Sequence, residues 1–480
     1  MFDNDRILNS LATVLGQDSE LLCNPGSEGY DESNSSYFSA LASALKPSFI
    51  LRPKTIEQVQ EVIRALGPLV LEGSCRIAIR GTGHTPFAGG ANIQDGVTID
   101  LRNFKGVVLD AEESTVKVGV GETWDKVYAE LEKHGLTTAG ARVNNVGVGG
   151  FILGGALSLI SSRRGFSCDS VTEFQVVLAA GELVRASADE HPDLFIALKG
   201  GLNNFGVVTS VTMKTYNSGD VWGGVVYYQP EAFTDLFHRA CDFARDELDE
   251  EVHVMCSAGY GFGHTALTCV MYHTQGQVNP PSLQRFTSVQ PQIEQMSSLR
   301  TSTTLGFTEE LAKFSSVGRR QYWATVTIKP DFDLIQTFYD KWQHVLPKVK
   351  DTEGFTFSFG FQPLTKSLLK HSQEAGGNAM DISPADGPLF IVLINPVWTN
   401  PADDNRIFGA IEDFLVELRQ IASERGLLHR YIFANYAYWK DDVMAGYGAD
   451  SIERMKAVSA KYDPEGLFQK GVPGGFKLPL

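Results

Sequence analysis

Arg80-Gly81-Thr82-Gly83-His84-Thr85-Pro86-Phe87-Ala88-Gly89-Gly90 is the stretch around which the chain is organised. Before it, residues 75–80 alternate, with Ile77 and Ile79 set against Arg76, Ala78 and Arg80. After it, residues 96–101 alternate again, with Val97, Ile99 and Leu101 against Thr98 and Asp100. Period-two alternation predicts two half-buried strands joined by a glycine-rich loop that carries one histidine. Glycines allow positive φ and let backbone N–H groups approach a bound anion closely, the physics of a diphosphate cradle. The loop is not a P-loop: the chain has no GxxxxGK[ST] and no strict GxGxxG. Taken alone, such a histidine is more simply a loop residue bonded to its own turn.

The chain of 480 residues has room for two or three domains. With 43% hydrophobic and 20% charged residues it reads as an ordinary globular protein. A net charge of -16 repels phosphate backbones and anionic lipid, so neither nucleic acid nor membrane is expected as a partner. The start, Met1-Phe2-Asp3-Asn4-Asp5-Arg6, has neither a basic nor an apolar leader region. The expectation is a cytoplasmic location, or a secreted one if a leader was removed. Six cysteines stand at 23, 75, 168, 241, 256 and 269 without CxxC or zinc spacing, so no metal is expected. Cys168 reads as a small buried apolar residue.

Taken in order, Thr55 and Gln58 form a capping-box pattern ahead of Ile56, Val59, Ile63 and Leu66 at helical spacing. A strand over 116–120 leads to a helix that starts near Trp124 and ends at Gly135, which makes His134 a helix-end residue. Asn145-Val146-Gly147-Val148-Gly149-Gly150-Phe151-Ile152-Leu153-Gly154-Gly155 is a second glycine-rich stretch, flat enough for a planar ligand or a neighbouring strand. Gly200-Gly201-Leu202-Asn203-Asn204-Phe205-Gly206-Val207-Val208-Thr209 follows a short helix opened by Pro192. From Val221 the pattern changes to long strands and helices with aromatic faces. Strands are expected over 221–229, 252–260, 265–273, 321–328, 354–362 and 389–398, and helices over 230–248, 332–348 and 403–425. Residues 374–388, rich in Gly, Asp and Pro, read as a mobile loop. The remaining histidines lie at no metal spacing. Asn435-Tyr436, Tyr447-Gly448 and Tyr462-Asp463-Pro464-Glu465-Gly466-Leu467-Phe468-Gln469 close the chain.

These four stretches together, in this order, resemble the FAD-linked oxidoreductases of the vanillyl-alcohol oxidase and PCMH type. The branch is that of the berberine bridge enzyme-like proteins, and the ending Gly474-Gly475-Phe476-Lys477-Leu478 is similar to fungal members of secondary metabolism. The resemblance implies an α+β fold: a PCMH-type FAD-binding domain with two subdomains over 1–216, and an α+β substrate domain with a mostly antiparallel sheet over 217–430. Residues 431–480 return to the FAD domain. It implies FAD bound through Arg80, Gly81, Thr82, Gly83, His84, Thr85 and Gly89, and through Val146, Gly147, Gly149, Gly150 and Gly154. Phe205, Gly206, Val207, Val208 and Asn435 complete that set. In the family the matching histidine is bonded to the 8α-methyl of FAD, so His84 is expected to be covalent. Bicovalent members add a cysteine where this chain has Val143, so no cysteinyl link is expected. Secreted members often pair cysteines near positions 23 and 75; here two buried thiols are the reading.

The activity implied is oxidation of a small molecule by hydride transfer to flavin N5, with O₂ as acceptor and H₂O₂ as product. Tyr436, with Tyr322 second, is the candidate base. Ile391, Leu393 and Asn395 form the expected inward set of strand 389–398, which favours an apolar phenolic, polyketide or alkaloid substrate. A flavin-scaffolded pericyclase and a carbohydrate oxidase are the alternatives.

Overall fold

The computed structural model describes residues 2–16, 20–246 and 249–479. The first half holds two sheets. In the smaller, Ile77–Arg80 and Val97–Asp100 run parallel in register Ile77 to Val97 and Arg80 to Asp100. Phe49–Leu51 continues the parallel set on the other side of Val97–Asp100, and Leu22–Cys23 caps the edge antiparallel. The histidine loop therefore crosses from one strand to its parallel neighbour without a helix. Ile56–Leu71 covers this sheet with Val59, Val62, Ile63 and Leu66 buried. Thr55 caps it by accepting from Gln58 N, while Gln58 Oε1 accepts from Lys54 N at 2.7 Å.

The second sheet is antiparallel and orders Val107–Asp110, Thr115–Gly119, Val207–Lys214, Val171–Val177 and Leu183–Ser187. The glycine-rich stretch after Asn145 folds into a short helix, Val148–Leu153, rather than lying extended.

The third sheet has eight strands and every ladder in it is antiparallel. Its helices, Phe233–Asp246, Phe332–Val345 and Asp404–Glu424, pack on one face. Phe357, Phe359, Phe361, Phe390, Val392 and Ile394 point into that layer, an aromatic core in which each fully buried ring contributes about 2–3 kcal/mol. The opposite set, Ser358, Gly360, Gln362, Ile391, Leu393 and Asn395, faces the first half of the chain. The strand expected over 321–328 breaks into Arg320–Gln321 and Ala324–Ile328. Tyr322 N donates to Pro396 O at 3.1 Å, but Pro396 has no N–H to return, so the ladder opens there.

Residues 374–388 form an irregular loop that is anchored at its centre. Ala379, Met380 and Ile382 are buried in the core of the first half, together with Leu364, Leu368, Leu369 and Leu389. Asn378 donates to Asp169 Oδ1 at 3.0 Å and Ala379 N to Lys199 O at 2.9 Å. The segment is a strap across the two halves, read as mobile because Gly and Pro mark irregular backbone and say nothing about burial. All six cysteines are free and buried, with Cys23 and Cys75 in separate clusters. None of the described helices is long and apolar enough to cross a membrane.

Candidate functional site

A cavity of about 1570 Å³, counting its mouth, opens where the two halves meet. Its walls come from residues 79–91, 141–153, 202–208 and 433–437, from Trp323 on the eight-stranded sheet, and from Gly475 and Phe476 of the tail. The histidine loop thus meets the glycine-rich stretch after Asn145. The contact is close: a Cβ on Gly147 would lie 2.0 Å from Thr82 Oγ1, and one on Gly83 (φ +81) would lie 2.6 Å from the Tyr37 ring. Only glycine fits either position.

His84 turns its ring into the cavity, where Phe38 stacks on it at 3.8 Å and 14°. Part of the ring surface is open, but to the cavity and not to bulk water. Burial pushes its pKa down to about 4, outweighing its own backbone and the neighbouring Asn145. Nε2 of His84 and Oδ1 of Asn145 are buried without a hydrogen-bond partner. The tail closes over the loop: Asn203 Nδ2 donates to Gly474 O at 3.0 Å, Asn204 Nδ2 to Phe476 O at 2.9 Å, and Lys477 Nζ to Asn203 Oδ1 at 2.8 Å.

Asn435 ties the returning segment to the first half. Its Nδ2 donates to Phe151 O at 3.1 Å, and its Oδ1 accepts from Ala156 N at 3.1 Å. Beside it, the Tyr436 hydroxyl accepts from Arg142 Nη2 at 2.7 Å, while Arg142 Nη1 donates to Gln362 Oε1 at 2.6 Å. Trp323 stands edge-on to Tyr436 at 5.5 Å. Arg142 is the one charged side chain in the cavity wall among the described residues.

Three kinds of comparison bear on this geometry. Residues 47–187 match the FAD binding domain family. Over 461 residues the chain is 33% identical to the FAD-dependent monooxygenase FUP4 of Fusarium proliferatum, covering 93% of this chain and 88% of that one. It is 36% identical to the FAD-dependent monooxygenase tpcD of Cochliobolus heterostrophus over 416 residues, 84% of this chain and 80% of the other. The chain belongs to the FAD-dependent monooxygenase family. Its fold is that of the berberine bridge enzyme-like flavoproteins. Wild-type BBE-like 1 of Physcomitrella patens superposes with TM-score 0.79 at 18% identity, over 98% of this chain and 99% of that one. Xylooligosaccharide oxidase from Myceliophthora thermophila superposes with TM-score 0.79 at 19% identity, over 98% and 100%.

The cavity of this FAD-dependent oxidoreductase fits its cofactor. Its length is lined by glycines, nothing among the described residues stands within 4 Å of where a Gly150 Cβ would project, and no carboxylate among them lines the wall to repel a diphosphate. Of the expected FAD residues, Gly81, Thr82, Gly83, His84, Thr85, Val146, Gly147, Gly149, Gly150, Gly206, Val208 and Asn435 line it. Five others sit behind the wall. Arg80 is fully buried, donates to Ser33 O, Ser36 O and Thr82 O, and lies over the Tyr37 ring, bracing the loop from its far side. Gly89 offers its carbonyl to the tail, where only a glycine fits at 474, since a Cβ there would lie 2.2 Å from Gly89 O. Gly154 makes room for Asn435. Phe205 and Val207 are buried in the core, Val207 because it and its strand neighbour Val208, a wall residue, point to opposite faces.

Tyr322 is removed as a candidate base. It is 1% exposed in the aromatic core behind the sheet, stacked on Tyr438 at 4.0 Å, and burial pushes its phenol up. Trp323, the next residue in the gap between the two strands, lies on the other side and lines the cavity. Ile391, Leu393 and Asn395 face the first half, yet none is a wall residue of the cavity. Opposite Ile391 stands Gln362, so the sheet brings a polar group where an apolar one was expected. Arg142 and Gln362 were missed. Arg142 adjoins Val143, the position where bicovalent relatives place cysteine, and that adjacency was the one available signal.

Proposed function

We propose that this enzyme oxidises a largely apolar small molecule of phenolic, polyketide or alkaloid type, with Tyr436 as the base and His84 as the only covalent anchor of the cofactor. When bound, FAD supplies a two-electron acceptor that takes a hydride at N5 and passes the electrons to O₂ as H₂O₂. Leu153, Leu157, Phe433 and Trp323 supply apolar wall and exclude water. Tyr436 takes the proton of the substrate hydroxyl. The orphaned, unprotonated His84 ring supports attachment at that residue, and Val143 offers no thiolate for a second bond.

The observation that carries the reading is Tyr436 in the cavity wall with its oxygen held by the one cation there. A panel of hydroxylated naphthalenes and anthracenes, mixed anaerobically with the holoenzyme, identifies a reducing substrate by flavin bleaching. With it, Tyr436→Phe should slow flavin reduction roughly 10²-fold and retain the flavin. Unchanged reduction removes Tyr436. Acid-precipitated wild-type protein should stay yellow, and free FAD in the supernatant removes the covalent bond.

A second reading comes from the relatives named monooxygenases: transfer of an oxygen atom to the substrate. Turnover under ¹⁸O₂ separates the two. Unlabelled product with stoichiometric H₂O₂ carries the oxidase, and label in the product carries the monooxygenase.

A further inference from the structure

Two consecutive residues near the start of the chain divide between the two sides of the histidine loop. Tyr37 lies behind it, under the Arg80 guanidinium at 3.7 Å, and its hydroxyl donates to Ala91 O at 3.1 Å. Phe38 turns the other way and stacks on His84. Its backbone is pinned by both halves of the molecule: Phe38 N donates to Gly83 O at 3.1 Å, and Phe38 O accepts from Gly318 N at 2.8 Å. The next two residues continue the seam, where Ser39 bridges to Arg319 and Ala40 N donates to Arg319 O at 2.9 Å. The Phe38 side chain is buried, yet it belongs to neither of the two large hydrophobic cores. Among the described residues the rings it meets are His84, face to face, and Trp323, edge-on at 6.0 Å and 86°. His84 and Trp323 line the cavity and Phe38 does not, so Phe38 backs the imidazole from outside the cavity.

The second torsion of a histidine is broad and roughly two-fold, so the backbone of the loop does not set the plane of the ring. At Nε2 no hydrogen bond sets it either. A flat ring held 14° from parallel does, because stacked rings resist tilting against each other. Trp323, whose Nε1 donates to Gln321 Oε1 at 3.2 Å, stands against Phe38 in turn. We propose that Phe38 is a positioning residue that holds the His84 ring in the plane from which it bonds to the flavin. This rests on His84 being the covalent anchor. In that step a bond forms between a ring nitrogen and the 8α carbon, while a C–H bond of the methyl group and the ring N–H bond break. Two protons and two electrons leave, and O₂ takes them up as H₂O₂. Phe38 handles neither protons nor electrons; it narrows the angles the imidazole can adopt.

The test is the rate of covalent attachment in full-length protein expressed under riboflavin limitation and mixed with FAD in air. Acid precipitation at intervals gives the bonded fraction, and quenching of FAD fluorescence under anaerobic conditions gives the affinity before the bond forms. Phe38→Leu keeps a buried apolar side chain and removes only the flat face. Attachment should slow by about tenfold or more while the affinity stays within about twofold, since misplaced reacting groups lose rate before they lose binding. Phe38→Tyr keeps the face and should attach at close to the wild-type rate. If Phe38→Leu does not fold, Phe38→Met carries the same comparison. Attachment at the wild-type rate in the Leu or Met variant overturns the inference. So does a loss of affinity large enough to account for the slowing, or a Tyr variant as slow as the Leu variant. Wild-type protein that releases all its flavin in acid removes the anchor, and the inference with it. Wild-type protein that keeps its flavin, beside variants that attach it equally fast, removes only the role of Phe38.

Discussion

The flavin-side loops and the aromatic core behind the sheet both hold buried polar atoms without partners, yet they do so for different reasons. His84 Nε2 and Asn145 Oδ1 lie at a cavity, with space for a partner to arrive. Tyr322 OH and Trp342 Nε1 are enclosed by rings, where nothing can reach them. In the core, packing gain of about 2–3 kcal/mol for each ring offsets a lost hydrogen bond of about 1–3 kcal/mol. An orphaned polar atom therefore marks a site only where there is room beside it.

Substitutions should divide along the same line. The largest effect is expected at the contact of the two glycine-rich loops. Gly147→Val places a side chain inside Thr82, and the purified protein should be colourless. Gly259→Ala, on the eight-stranded sheet, meets nothing closer than Phe357 O at 3.9 Å and should stay yellow. Equal flavin content in the two would erase the contrast.

Next comes the acid limb of stability in flavin-free protein. The His84 pKa in the fold, about 4, lies below the ordinary histidine value of about 6.5. The unfolded chain therefore takes the proton first, and stability is lost as pH falls from about 6.5 toward 4. The loss is of order 2–3 kcal/mol, less where water enters the cavity. Chemical denaturation of His84→Gln across that range should show a flatter acid limb. An identical slope would mean that the ring is not held away from water.

Asn435→Ala leaves Phe151 C=O and Ala156 N–H without their partner and should cost about 1–3 kcal/mol, read as a lower Tm and weaker flavin retention. The smallest effect is expected at Tyr322→Phe. Deleting a hydroxyl that has no partner should change stability by less than about 1 kcal/mol and leave flavin reduction untouched. A large loss of rate there would return Tyr322 to the chemistry and break the comparison.

Glycines and alternation made much of this molecule legible in the chain. The histidine loop, the second glycine-rich stretch and Gly206-Val207-Val208 all reach the cavity, and the eight-stranded sheet is antiparallel with its helices on one side. What was misread were contacts distant in sequence. Arg80 sits in the decisive stretch but serves residues 33–37 behind it. Residues 374–388 have the composition of a loop, yet Ala379, Met380 and Ile382 at its centre are buried in the core.

The sequence by itself determined that this chain folds as an FAD-binding oxidoreductase and that His84 stands in its first glycine-rich loop. Local backbone freedom at glycines and period-two patterning are written residue by residue, and both survive any error in how the halves pack. Only the tertiary structure decided which tyrosine meets the cavity and which cation holds it. Arg142, Gln362 and Tyr436 lie 220 and 294 positions apart in the pairs they form, so no local spacing records their meeting. The one-residue step from Trp323 to Tyr322 changes the face of the sheet, and a strand's facing is set by what packs on it, not by the residues of the strand alone.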